Sequence, residues 1–384
     1  MVGETPQIEP LKPGVSAFVV FTTGDEVLRR CLESLQGAVD HIVAVDTGAT
    51  DGSRQIALEF GAEVHDFPWT DSFADAYNFA ASKVESEWTY WIDSDEWLLP
   101  DCVSMVREAI THPGAFAFTI LRQDLYDEFR YAEMQALRLW RTTPGLQMIG
   151  AIHAQFPVED LAAAAKGRSI EPSPIRIRHD GFIGGALQSK LEQSIRLCRK
   201  QLVADPNNLY FGICLADSLC ATGDPAGKQL AKQLANRVLK RGGEPEERLE
   251  SQLLAVSLES MSEEEVRSRF ATKHIDAILE WFPNDPIAIW SVAAAERRRE
   301  NPEGEVRALL RLEEMGETNE YDRFLSFDPG LIGPKCWANL ALVAFEIEED
   351  DIARRNFERM IRVDPGDPVP HEYLKRIEQR GIQR

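Results

Sequence analysis

Across 384 residues the chain is 44% hydrophobic and 27% charged, the balance of a folded globular protein with room for two domains rather than of a disordered one. Its formal charge of −21 repels polyanions, which excludes nucleic acid and anionic membrane surfaces; a phosphate-bearing ligand would need a metal or a local arginine cluster. No apolar run reaches membrane-spanning length, and the first fifteen residues hold three prolines and no apolar signal core, so the chain reads as cytoplasmic with a flexible tail over 1–13.

Beyond that tail, Ser16–Thr23 is an apolar strand run, and Asp25–Gln36 carries Val27, Leu28, Cys31, Leu32 and Leu35 at helical spacing. His41–Asp46 is a second strand. Asp51 is expected to cap a helix that runs to about Phe60 and stops at Gly61. Glu63–Phe67 reads as a strand, Ser72–Val84 as a helix and Trp88–Asp93 as a fourth strand. Strands and helices in that alternation predict a parallel sheet with right-handed crossovers, whose ligands bind beyond the carboxyl ends of the strands. Thr22, Asp46 and Asp93 stand at those ends. A helix over Asp101–Thr111 follows, then strands over Ala115–Leu121, Met134–Trp140, His153–Val158 and Pro174–His179, with longer connections that predict an antiparallel or mixed portion.

The stretch Trp91–Glu96, WIDSDE, ends an apolar run abruptly in Asp93, Asp95 and Glu96. Carboxylates this close repel one another, and a divalent cation with oxygen ligands relieves that repulsion. In an extended segment Asp93 and Asp95 point to one side and Ser94 to the other. A solvated acidic turn is the plainer alternative for such a stretch taken alone.

From about Ala186 the strand signals stop. Helices are predicted over Ala186–Ala204, Leu209–Ala221, Gly227–Arg241, Glu246–Ser260, Glu263–Trp281, Pro286–Glu300, Glu303–Met315, Pro334–Glu346 and Asp350–Val363. Trp337, Leu340, Ala341, Ala353, Phe357 and Pro365 fall on tetratricopeptide (TPR) spacing, with Ala341 and Ala344 in place of the usual Gly and Tyr. The punctuation at Ala204–Asn208 (ADPNN) and Phe282–Pro286 (FPNDP) repeats along the region. Cys31, Cys102, Cys198, Cys214, Cys220 and Cys336 are scattered without a CxxC pair, as buried free thiols would be. The expected organisation is a tail over 1–13, an α/β domain over 14–185 and an all-α TPR-like helical-hairpin domain over 186–384.

Taken together, VDTGATDGS (Val45–Ser53), FPWTDSF (Phe67–Phe73) with Tyr77-Asn78-Phe79-Ala80, and WIDSDE resemble a family 2 glycosyltransferase of the GT-A fold, in the cytosolic subgroup with a C-terminal TPR region. The resemblance covers about residues 14–215. It implies a Rossmann-like mixed sheet and a metal-dependent inverting transfer of a hexose or N-acetylhexosamine from a UDP-sugar to a protein or peptide acceptor, with a homodimer left open. By the same resemblance Thr22, Asp46, Asp71, Asn78, Asp93, Ser94 and Arg138 would form the donor site, with Asp46 on uracil and Arg138 or Arg141 on phosphate. Asp95 and His179 would hold Mn2+ or Mg2+.

LRLWR (Leu137–Arg141), GAIHAQF (Gly150–Phe156) and IRIRHDGF (Ile175–Phe182) resemble three further segments of the family. Four departures stand out: Ser72 and Tyr77 in the second motif, Thr23-Gly24-Asp25-Glu26 in place of K-N-E-E, and Ala154 in place of the Glu after His153. If that Glu is the family's general base, the base is missing here. Asp180 and His153 are the catalytic candidates, with Glu159 and Asp160 also near in sequence. These losses motivate the alternative of a degenerate transferase domain kept as a scaffold beside a TPR-type protein-binding region. A nucleotidyltransferase is disfavoured because Phe21–Glu26 holds one Gly and no Lys or Arg.

Overall fold

A computed structural model describes residues 11–127, 130–181 and 186–383. The chain divides into two compact units, Met1–Ser189 and Lys190–Arg384.

The first unit runs β1 (Lys12–Phe21), α1 (Asp25–Ser34), β2 (His41–Asp46), α2 (Ser53–Glu59), β3 (Glu63–Asp66), α3 (Phe73–Ala81), β4 (Ser86–Trp91), β5 (Glu96–Leu98), α4 (Val103–Ala109), β6 (Ala115–Leu125), β7 (Tyr131–Arg141), α5 (Val158–Ala165) and β8 (Ser169–His179). All eight strands form one sheet in the order β3-β2-β1-β4-β7-β6-β8-β5. The first four are parallel, β7 is antiparallel to both β4 and β6, and β5 is antiparallel to β8. The sheet is therefore mixed, as the longer connections predicted.

Period-two alternation assigns each side chain to a face. Val15, Ala17, Val19 and Phe21 of β1 pack in one core with Leu28, Cys31 and Leu32 of α1, Ile56 of α2 and Val106 of α4. Phe18 turns to the other face and packs with Ala74, Tyr77 and Ala80 of α3 and Ala165 of α5. Both faces are covered, which is why these strands read as continuous apolar runs.

Asp51 does not cap α2 as its N-cap residue; Gly52 holds that position without a side-chain bond. Asp51 instead accepts from the amides of Ser53 and Gly24, at 3.0 and 2.8 Å, and so ties together the loops after β1 and β2. No strand forms over His153–Val158. His153 takes φ +50, one isolated bridge joins Ile149 to Gln155, and the alanine-rich stretch after Pro157 becomes α5. Strand β5 was not foreseen, because three residues carry no periodicity. Strand β1 begins at Lys12, inside the stretch expected as a tail; residues 1–10 of that tail, and Phe182 of the last family segment, lie outside the described residues.

The second unit is all-helical: α6 (Ala186–Ala204), α7 (Leu209–Ala221), α8 (Pro225–Arg241), α9 (Glu250–Glu259), α10 (Glu263–Val266), α11 (Arg269–Trp281), α12 (Pro286–Arg298), α13 (Pro302–Thr318), α14 (Pro334–Glu346), α15 (Asp350–Val363) and α16 (Pro368–Gln383). The single helix expected over Glu263–Trp281 is two, since Ser262 caps α10 in a capping box and Ser268 caps α11. Leu340, Ala341, Ala344, Ala353 and Phe357, the TPR-spaced positions of α14 and α15 and the Ala at the Tyr position, are all fully buried. Small residues let helices meet closely: a Cβ on Gly227 would lie 2.5 Å from the Cys220 amide nitrogen and 2.9 Å from the Ala216 carbonyl oxygen. All six cysteines are free.

Candidate active site

The carboxyl ends of β1, β2 and β4 carry the residues singled out in the sequence. At the β1 end the hydroxyls of Thr22 and Thr47 lie 2.5 Å apart, with Thr22 exposed. At the β2 end Asp46 is 7% exposed. One of its oxygens accepts from the amides of Gly48 and Ala49 at 2.9 and 2.7 Å, a turn that Gly48 permits at φ +121, and the other accepts from Arg54 at 3.1 Å. Burial opposes the charge of Asp46, but these donors outweigh it and hold the carboxyl below its usual range.

Between β4 and β5 the Asp93–Glu96 stretch is not extended. Glu96 donates its amide to the Asp93 carbonyl at 2.9 Å, closing a turn, and the Asp93 amide donates to the Glu96 carboxylate at 3.0 Å. The expected same-side alternation of Asp93 and Asp95 thus gives way to two different surroundings. One oxygen of Asp93 accepts from the Tyr77 hydroxyl at 2.8 Å and the Trp91 indole at 3.0 Å; the other accepts from Arg138 at 3.1 Å. The carboxylate of Asp95 faces Nε2 of His179 at 3.3 Å, and Nδ1 of His179 meets Asp124 at 2.7 Å.

Arg138 corrects a second expectation. Phe118 pairs with Leu139 and Thr119 with Leu137, so Arg138 is the extra residue of a β-bulge in β7. The bulge aims its guanidinium under the turn rather than outward. There it lies 2.6 Å from Glu96 and 3.9 Å from the Trp91 ring centre, and it is 2% exposed, so it is not presented to a phosphate. Glu96 is 1% exposed; burial pushes its carboxyl up to about 7, while Arg138 pulls it down. Burial likewise opposes charge on His179, but hydrogen bonds to Asp124 and Asp95 raise its imidazole to about 9.

The remaining candidates are dispersed. Asn78 uses its amide on the backbone of Met148, donating at 2.9 Å and accepting at 2.8 Å, which fastens the loop after β7 onto α3. Asp71, at φ +61, accepts from the Trp69 indole at 3.1 Å. Ser94 is half-buried in the turn. Asp180 pairs with Arg30, which stacks 3.8 Å from the Trp97 ring centre. His153 lies exposed in its loop, and Ala154 packs against the core on the α3 face. Arg141 donates to the carbonyls of Ala115 and His112. Among the described residues no group of three or more His, Cys, Asp or Glu side chains gathers as a metal cage.

Sequence reading missed Asp124, which orients His179, Arg122, which pairs with Asp124, and Arg54. It noted Tyr77 only as a departure, yet that hydroxyl replaces part of what a cation would do for Asp93. Only the pairing of β6 with β8, which sets Asp124 beside His179, reveals their partnership.

The first unit thus sets acidic side chains at the carboxyl ends of its strands, and an all-helical unit follows it. Residues 16–163, within the first unit, match the model of Glycosyl transferase family 2. A TPR repeat-containing protein of Synechococcus elongatus is 29% identical over 252 residues, covering 62% of this chain and 60% of that protein. An uncharacterised glycosyltransferase of Rickettsia felis is 32% identical over 84 residues, 22% of this chain and 29% of that one. The chain thus spans less than two thirds of the length of either relative. Among solved structures, S. aureus TarS 1–349 in complex with UDP-GlcNAc aligns over 80% of this chain and 92% of that one, at 13% identity and a TM-score of 0.36. Among the described residues no helix is long and apolar enough to cross a membrane.

Proposed function

We propose that this protein is a metal-dependent inverting glycosyltransferase that takes a hexose or N-acetylhexosamine from a UDP-sugar and delivers it to a protein or peptide acceptor. The carrying observation is the array Asp95, His179 and Asp124: a carboxylate and an imidazole 3.3 Å apart, with the second ring nitrogen held at 2.7 Å by a buried carboxylate. Adjacent ligands of a six-coordinate ion with bonds of about 2.1 Å lie roughly 3 Å apart, so the pair fits a divalent cation. A carboxylate behind a ligating histidine is the usual second layer of such a site. Mn2+ or Mg2+ held there would neutralise the charge that develops on the leaving diphosphate.

The protein's own groups supply the rest. Asp46, fixed by two amides, offers an acceptor to the base. Tyr77, Trp91 and Arg138 hold Asp93 beside Asp95, so the turn is organised before a donor arrives. Helical hairpins provide an extended surface suited to a peptide. A carboxylate base is absent at Ala154, and that observation favours the second reading, a degenerate domain retained as a scaffold. Incubation with UDP-glucose and UDP-N-acetylglucosamine, with and without Mn2+, separates the two: metal-dependent release of UDP is expected, and binding of neither donor contradicts the enzyme.

A further inference from the structure

Asp95 and His179 come from two separate segments, and little of the sheet itself holds them together. His179 ends β8 and pairs in register with Glu96, the first residue of β5. β5 has three residues and lies at the edge of the sheet, so the ladder between the two strands is short. Just past it the Asp180 amide reaches the Asp95 carbonyl at 3.4 Å, longer than the usual length of about 2.9–3.0 Å.

One side chain bridges both strands from outside the sheet. The Arg30 guanidinium, on α1, pairs with the Asp180 carboxylate beyond the end of β8 and lies 3.8 Å from the centre of the Trp97 ring on β5. We propose that Arg30 is a positioning residue, which holds Asp95 and His179 at the separation where both can ligate one divalent cation; this rests on the glycosyltransferase reading.

α1 is a firm anchor for that bridge. Leu28, Cys31 and Leu32 bury one side of it in the core on one face of the sheet. Ser34, four residues beyond Arg30 and so on the same side of the helix, accepts from the Leu98 amide at 3.0 Å. The Cys31 thiol donates to the Asp93 carbonyl at 3.5 Å. The helix therefore grips the turn at Asp93, strand β5 at Trp97 and Leu98, and the end of β8 through Asp180. A planar guanidinium can stack on an indole and pair with a carboxylate at once, which an ammonium does less well. In this arrangement Asp180 serves the bridge rather than taking a proton from an acceptor.

Titration of Mn2+ into the full chain with UDP present, against a protein-free blank, tests this, with free aqueous Mn2+ followed by its paramagnetic resonance signal. Arg30→Met keeps aliphatic bulk over Trp97 and removes the charge. It is expected to weaken Mn2+ binding about 10-fold, because supports behind metal ligands are commonly worth about 10–100-fold in affinity. Arg30→Lys, which keeps the charge but not the planar stack, is expected to lose less. Asp180→Asn is expected to lose as much as Arg30→Met, and the two together no more than either alone. Arg29→Met, which breaks an exposed pair with Glu59 on the same helix, is expected to bind Mn2+ as the parent does, and circular dichroism should show the parent fold in each variant. Unchanged affinity in Arg30→Met, an equal loss in Arg29→Met, or additive losses in the double variant would overturn the proposal. Where Arg30→Met fails to fold, Asp180→Asn decides by itself, and parent-like affinity in it overturns the proposal. A parent that binds Mn2+ neither with UDP nor without it overturns the metal-dependent reading itself, and the bridge with it.

Discussion

Arg138 and Glu96 form an ion pair at 2.6 Å in which neither partner is more than 2% exposed. Such a pair is a weak source of net stability but a costly one to break, because the surviving charge has no water to turn to. Arg138→Met should therefore destabilise the first unit by about 3–5 kcal/mol in urea unfolding, and Arg138→Met combined with Glu96→Leu should recover most of that loss. A single variant within about 1 kcal/mol of the parent would show that the pair does not hold the turn. At this scale the acidic residues were legible in the sequence and their partners were not. WIDSDE announced carboxylates at a strand end, but which of them faces a histidine depends on where β8 pairs, and which is locked under an arginine depends on a bulge in β7. The periodicity of LRLWR does not disclose that bulge, so Arg138 was expected on a phosphate and is found beneath Asp93.

Elements are tied to the sheet by similar long-range pairs, and one gives a pH signature. Asp40, in the turn before β2, accepts two bonds of 2.8 Å from Arg107 of α4 and one of 2.9 Å from the Val15 amide of β1. The Arg107 guanidinium is the main cause that lowers its carboxyl from 3.8 to about 2. The depressed value means that the stabilisation is complete above pH ~4 and fades as the pH falls toward ~2, with a size of about 1 kcal/mol after allowance for solvent screening. Stability curves of the parent and of Arg107→Ala should thus differ at pH 6 and draw together by pH 2.5; a constant gap would contradict the assignment. Long apolar runs and most helices were legible, including strands and helices of the parallel half, whereas the last helix, α16, was not expected. Short or context-driven pieces were not: β5 has three residues, and α5 replaces an expected strand because alanines after Pro157 favour helix over the apolar pattern before it.

The whole molecule joins two units that each bury their own apolar core, one around a mixed sheet and one around stacked helices. In the proposed function, donor chemistry belongs to the first and acceptor recognition to the second. A chain ended after Ala221 should still hydrolyse donor but lose transfer to a protein acceptor, and full transfer by that truncated form would remove the helices from the reaction. The most direct measurement is calorimetric titration of UDP, with and without Mn2+, into the parent protein and into Asp95→Ala. The account predicts metal-dependent binding by the parent that disappears in Asp95→Ala while its fold, followed by circular dichroism, is unchanged. Equal UDP affinity in the two proteins, or in the presence and absence of metal, would contradict the site.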